Sequence, residues 1–138
     1  MHHVAIMRKD WKLIGKILSG EKTIESRWYK TRRAPWNSIK KGDVVFFKDA
    51  GCPVTAKADV EKVLFFDLAH TAGKDIVEKY GKRICLRSKS TGWLAGKRYC
   101  ILVFLRNPAK VQPFTIDKKG FGNANAWITV DDIGLLRR

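Results

Sequence analysis

The sequence predicts a small α+β protein, mainly β: five to seven strands in a mixed or closed β-barrel, with two or more peripheral helices. Three observations carry that prediction. Short apolar or alternating runs recur along the chain between turn-forming residues, only two stretches show helical spacing, and there is neither a regular β-α-β alternation nor an internal repeat. The 138 residues suit a single domain, 1–138, large enough to bury about 68 % of its unfolded-state surface.

The elements follow in order. Val4–Met7 is a short apolar run and reads as the first strand. Asp10 is a good N-cap for a helix whose Trp11, Leu13, Ile14, Ile17 and Leu18 share one face, and Gly20 supplies the left-handed residue that ends it. Thr23–Trp28, with β-branched and aromatic residues, reads as a strand. Lys40-Lys41-Gly42-Asp43 is a tight turn into Val44–Phe47, an all-apolar run of buried-strand type. Ala56, Ala58 and Val60 alternate with Lys57, Asp59 and Glu61 as a half-buried strand, and Val63–Phe66 extends it through a bulge. Thr71 caps a short helix bearing Ile76, Val77 and Tyr80, which Gly81 terminates. Ser88–Gly96 is a polar loop with at most one helical turn. Tyr99–Leu105 is a buried strand that Asn107-Pro108 breaks, and Val111–Ile116 follows as an edge strand, because Pro113 lacks a ladder donor. Asp117–Asn125 is a glycine- and asparagine-rich loop, and Ala126–Val130 is the last strand.

The formal charge of +15 and a pI near 10.1 set the partner class. Such an excess repels itself in the folded state, and a polyanion relieves the repulsion. A lysine-rich surface inherited from a thermophile or an AT-rich genome is the alternative, but thermophile surfaces enrich Glu along with Lys, and here 28 basic residues face 13 acidic ones. The bases also cluster. Arg27–Lys48 holds seven against one acid, Asp43, and Lys82–Arg106 holds seven with no acid.

Cys52, Cys85 and Cys100 have no metal-like spacing, and the apolar neighbours of the last two read as core. No metal and no cofactor is expected. Val4–Met7 is too short for a signal peptide and Tyr99–Leu105 too short to cross a bilayer. The expectation is a cytoplasmic monomer (nuclear in a eukaryote) with no membrane partner. His70 reads as a satisfied structural histidine.

The densest chemistry lies in Gly20-Glu21-Lys22-Thr23-Ile24-Glu25-Ser26-Arg27, continued by Trp28, Tyr29, Lys30, Arg32, Arg33 and Trp36. In a strand, Glu25 and Arg27 share a face and can pair or share a ligand, whereas Lys22 has the wrong parity. Lys22 joins them only if the chain turns or bulges just after Gly20. One reading has Lys22 and Arg27 hold a phosphate or a polar base edge while Glu25 orients them. Another is a structural ion pair near the barrel mouth. The basic and aromatic residues beyond are types that hold phosphates and stack on bases. Lys48 and Trp127 complete the candidate nucleic-acid-binding set, with simple packing as the alternative for Trp127. Trp28 reads as the most buried of the aromatic trio, and Trp11 and Trp93 as core or loop anchors. Gly120-Phe121-Gly122-Asn123 lacks a phosphate-loop spacing and reads as a turn.

Gly20, Lys22, Glu25 and Arg27 match the G-x-K-x-x-E-x-R pattern of ASCH domains. The preceding amphipathic helix, Gly42-Asp43 with its apolar strand, Lys79-Tyr80-Gly81, the Tyr99–Leu105 strand and the Gly122…Trp127 segment resemble that family over nearly the whole chain. The resemblance implies a PUA-like β-barrel with a cleft that binds RNA, or single-stranded or modified nucleic acid. Some relatives are RNA-processing enzymes, and one bacterial branch is an amidohydrolase of N4-acylated cytidine that uses a lysine, a threonine three residues on and a distal glutamate. Lys22 matches that lysine, Glu25 stands where the threonine would, and only Glu78 offers itself as the distal acid. The alternative functions are therefore a hydrolase of acylated cytidine or a ribonuclease, with Lys22 and Glu25 catalytic, and a protein-interaction module in transcription regulation.

Overall fold

A computed structural model describes residues 1–86, 91–118, 120, 121 and 125–138. Six strands, β1 (His2–Met7), β2 (Ile24–Tyr29), β3 (Val44–Asp49), β4 (Val54–Asp67), β5 (Tyr99–Phe114) and β6 (Trp127–Val130), form one sheet in the order β2-β5-β4-β3-β1-β6. Only β1 and β3 run parallel; the other pairs are antiparallel. The sheet curls into a half-barrel, with β2 and β6 as its two edges. Helices α1 (Leu13–Ser19) and α2 (Gly73–Ile84) flank it, and no described helix is long and apolar enough to cross a membrane.

The interior face carries the main core. Alternate residues of β1, β3, β4 and β5 (Ala5, Met7, Val45, Phe47, Ala56, Ala58, Ile101, Val103) pack there against Leu13, Ile14 and Ile17 of α1. A second cluster behind β1, β3 and β6 includes Phe46, Phe114 and Leu136. A third puts Ile76 and Ile84 of α2 on Ile24, Leu102 and Phe104. The continuous apolar runs of β3 and β5 thus bury both faces.

Several predicted boundaries move, each for a local reason. Asp10 does not cap α1: a 3-10 turn at Lys9–Trp11 intervenes, and Lys12, with φ 55°, is the residue before the helix. The predicted C-cap Gly20 is observed, at φ 83° with its N–H on the Ile17 carbonyl. α2 does not end at Gly81 but runs on to Ile84 and is closed by a left-handed Cys85. Burial of Ile84 against Ile24 and Leu102 outweighs the weak helix propensity of glycine. Thr71 makes no cap; Ala72 precedes the helix.

Asn107-Pro108 does not break β5. Asp59 pairs with Arg106 and Lys57 with Ala109, so two residues bulge across one, Asn107 takes φ 53°, and its amide donates to Asp59 at 3.1 Å. The predicted bulge in β4 lies between Val60 and Lys62. His70 is exposed rather than structural. Ser88 and the Gly122-Asn123 turn lie outside the described residues.

Candidate functional site

β2 is an edge strand, and the site lies along it. Glu25, Arg27 and Tyr29 project to the interior side and Ile24 and Trp28 to the side of α2, as the two-residue period of a strand requires. The left-handed Gly20 then resolves the parity of Lys22. The chain leaves α1, turns, and delivers Lys22 from a loop held by its N–H on the Lys16 carbonyl at 2.9 Å. The Lys22 ammonium lies 3.4 Å from Glu25 Oε1, and the Arg27 guanidinium lies 3.3 Å from Oε2. Lys22, Glu25 and Arg27 do form one constellation.

Its members are held by the protein itself. Lys22 is buried and donates to the Ile24 carbonyl at 2.8 Å and the Ile84 carbonyl at 2.5 Å, tying β2 to the end of α2. With Glu25 these make three acceptors for an ammonium that has three protons. Glu25 also accepts from the Ser26 N–H at 3.0 Å. Burial pushes the Glu25 carboxyl up, but the Lys22 and Arg27 charges and these hydrogen bonds outweigh it, and the group stays ionised below the usual glutamate range. Arg27 reaches the Ala126 carbonyl at 3.2 Å and lies over the Trp127 ring at 5.1 Å.

A cleft of about 540 Å³ opens over this constellation, between β2, the end of β1, the start of α1 and the end of α2. Its walls are mostly apolar, with Trp11, Trp28, Tyr29 and Trp93 around the charged group and Arg8 and Lys97 at its margin. That volume and that mix of aromatic walls with a few fixed polar groups suit a nucleoside-sized ligand. Trp28 is half-buried rather than buried; its indole N–H donates to Ser26 Oγ at 3.0 Å, and Trp93 packs edge-on against it at 5.0 Å. Burial raises the Tyr29 phenol above its ordinary value, although Arg27 and Arg33 pull the other way, so the hydroxyl is a neutral donor at pH 7.

Lys30, Arg32 and Arg33 are exposed beyond the cleft. Arg33 lies over the Tyr29 ring at 5.5 Å, and Arg32 lies over Trp36 and Tyr99 at 5.6 and 5.3 Å. Trp36 packs edge-on against Phe65 and Tyr99. Tyr29, which lines the cleft, therefore joins it to the basic segment.

Two candidates do not line the cleft, although Trp127 lies beneath Arg27. Trp127 is buried and in the core, its indole N–H on His3 Nδ1 at 3.1 Å. Lys48 is buried on the opposite face of β3 from Val45 and Phe47; burial, then the nearby Lys118, lowers its pKa.

Sequence reasoning missed Arg8, Trp11, Trp93 and Lys97 as cleft residues. They come from segments far apart in the chain, and no spacing signals their convergence. It also drew nothing from the histidines of β1. His3 is buried, with Nε2 2.9 Å from Asp43 and Nδ1 taking the Trp127 N–H. A donor-only indole on one nitrogen and a carboxylate on the other assign the neutral Nε2–H tautomer. Burial lowers the His3 pKa further than Asp43 raises it.

No family model matches the chain, and no curated protein matches it in sequence. Solved structures do. The crystal structure of ASCH from Zymomonas mobilis is 18 % identical, matches over 99 % of this chain and 96 % of its own, and gives a TM-score of 0.67. A tyrosine-to-phenylalanine mutant of that protein gives 18 % identity, 99 % of both chains and 0.67. A serine-to-alanine mutant gives 19 %, 94 % of this chain, 87 % of its own and 0.66. With six strands in one curled sheet and a backbone that follows these structures nearly end to end, the chain has the fold of an ASCH domain.

Proposed function

We propose that the protein binds single-stranded nucleic acid, RNA in the first place, by taking one unpaired base into the cleft over β2 while the flanking backbone runs on the basic segment. The carrying observation is the cleft itself: about 540 Å³, walled by tryptophans, and joined through Tyr29 to Arg33 and its neighbours. Aromatic faces accept any base, at about 1–3 kcal/mol per stacked base. Arg33, Arg32 and Lys30 supply sequence-independent phosphate contacts, and the charge of +15 supplies the long-range attraction. Lys22 and Glu25 act as the frame of the site, holding β2, α2 and Arg27 in register. The bonding of the Lys22 ammonium to three protein acceptors supports this frame role over a hydrolase that uses Lys22 as base or nucleophile.

The test is a salt titration with fluorescent single-stranded oligonucleotides. Binding that weakens by about 0.7 log units per phosphate contact for each log of salt is the expected outcome. Arg33→Glu and Lys30→Glu should each weaken binding across sequences and lower that slope. No binding at low salt, or a flat slope, removes the proposal.

A further inference from the structure

An edge strand presents unpaired backbone groups, and β2 is the edge that faces the cleft. The ladder bonds show which of its groups point where. Leu105 donates to the Thr23 carbonyl at 2.9 Å and Arg98 to the Tyr29 carbonyl at 2.8 Å. In an antiparallel pair, N–H and C=O of one residue point the same way and alternate along the strand. The odd-numbered residues therefore turn toward β5, and Ile24, Ser26 and Trp28 turn outward. Two of the outward groups are already taken, by the motif. Lys22 Nζ covers the Ile24 carbonyl, and Glu25 Oε1 covers the Ser26 N–H. Trp28 is the next outward residue. Among the described residues nothing pairs with its N–H or its C=O, and Trp28 lines the cleft.

We infer that the Trp28 N–H and C=O read the Watson–Crick edge of the bound base. The two groups are the closely spaced donor and acceptor that a neighbouring strand would use. Uracil offers N3–H beside a carbonyl oxygen, cytosine an amine beside N3, and adenine an amine beside N1; each supplies one donor next to one acceptor. Any of them can take the place of the missing strand residue, with Trp11 or Trp93 to stack on its face. A base in a duplex cannot, because its partner occupies that edge. Lys22 and Glu25 then give the motif a specific role: each covers one outward group, on Ile24 and on Ser26, so that Trp28 is the outward residue of β2 that presents both its N–H and its C=O to the cleft.

This inference rests on the nucleic-acid reading, and the test separates the two. Pentanucleotides of uridine, cytidine and adenosine are compared with counterparts carrying N3-methyluridine, N4,N4-dimethylcytidine and N6,N6-dimethyladenosine. These changes keep charge and stacking faces but block the Watson–Crick edge. Affinity is measured at fixed low salt, and the Trp28 amide is followed by NMR in the labelled protein. At least a tenfold loss in one pair or more, with a downfield Trp28 amide shift only for the unblocked strand, is the expected result. Equal affinity within all three pairs, with an unmoved Trp28 amide, overturns the inference while the binding proposal stands. No binding of any strand overturns both. A Trp28 shift produced by an extended acidic peptide and by no oligonucleotide also overturns it, since the edge then takes a strand.

Discussion

The guanidinium of Arg27 lies 3.2 Å from the carbonyl of Ala126, a residue 99 positions away in the sequence. The first is on β2 and the second immediately precedes β6, the two edges of the sheet. Among the described residues no ladder joins these edges; a side chain spans the seam. The same guanidinium touches the Ile6 carbonyl, Met7 Sδ and Glu25 Oε2, at 3.5, 3.5 and 3.3 Å. A planar fork of five donors can hold that many acceptors at once; an ammonium on a flexible stem cannot.

Arg27→Lys is therefore not conservative. It should cost about 1–3 kcal/mol by stranding partly buried acceptors. Amide hydrogen exchange should quicken selectively in Trp127–Val130, while α2 keeps its protection. Uniform acceleration over the whole chain would refute a local role at the seam.

Glu25 is a buried carboxylate between two cations, and removing it leaves the buried Lys22 ammonium without its counter-charge. Glu25→Ala should destabilise by about 3–5 kcal/mol, the range for breaking a buried pair. Urea unfolding monitored by tryptophan fluorescence measures it. A loss under about 1 kcal/mol, the scale of a surface ion pair, would mean the group is solvated.

The pH dependence has two stages, each with a definite sign. The folded pKa of His3 is lowered, so its contribution is present above the unfolded value near 6.5 and is lost as pH falls through the lower folded value. Burial pushes the carboxyls of Glu25 and Asp43 up, but their ion-pair and hydrogen-bond partners bring both below their usual range. Their contributions hold above the unfolded values of about 4 and vanish as pH drops further. Stability should thus decline first below about pH 6.5 and again below about pH 4. His3→Gln should flatten the first stage and leave the second, as read from urea midpoints across pH.

Two glycines give opposite signs. Gly20 has φ 83° and nothing lies within 4 Å of where a methyl group would sit, so backbone strain alone acts. Gly20→Ala should cost about 1–2 kcal/mol. Gly15 lies inside α1, equally uncrowded and with ordinary helical backbone, so Gly15→Ala should stabilise by about 0.5–1 kcal/mol. Thermal melts of the two variants decide both.

Much of this was legible in the residues. Alternation and apolar runs located all six strands, because burial of one face or both is a local, periodic property. Gly20 marked the end of α1, and the parity of Lys22 against Glu25 and Arg27 required the turn that the structure has. The ends of α2 and the continuity of β5 were not legible. There the burial of Ile84 and the pairing of β4 across Asn107-Pro108 overrode local signals. By itself, then, the sequence determined the β-rich class, the position of the charged motif and the strongly basic charge. Only the tertiary structure decided that Lys22 is a buried tie, that Trp127 and Lys48 do not line the cleft, and that Arg8, Trp11, Trp93 and Lys97 border it. Periodicity tells which face of a strand or helix is covered; which distant segment covers it depends on the order of the strands and the curl of the sheet.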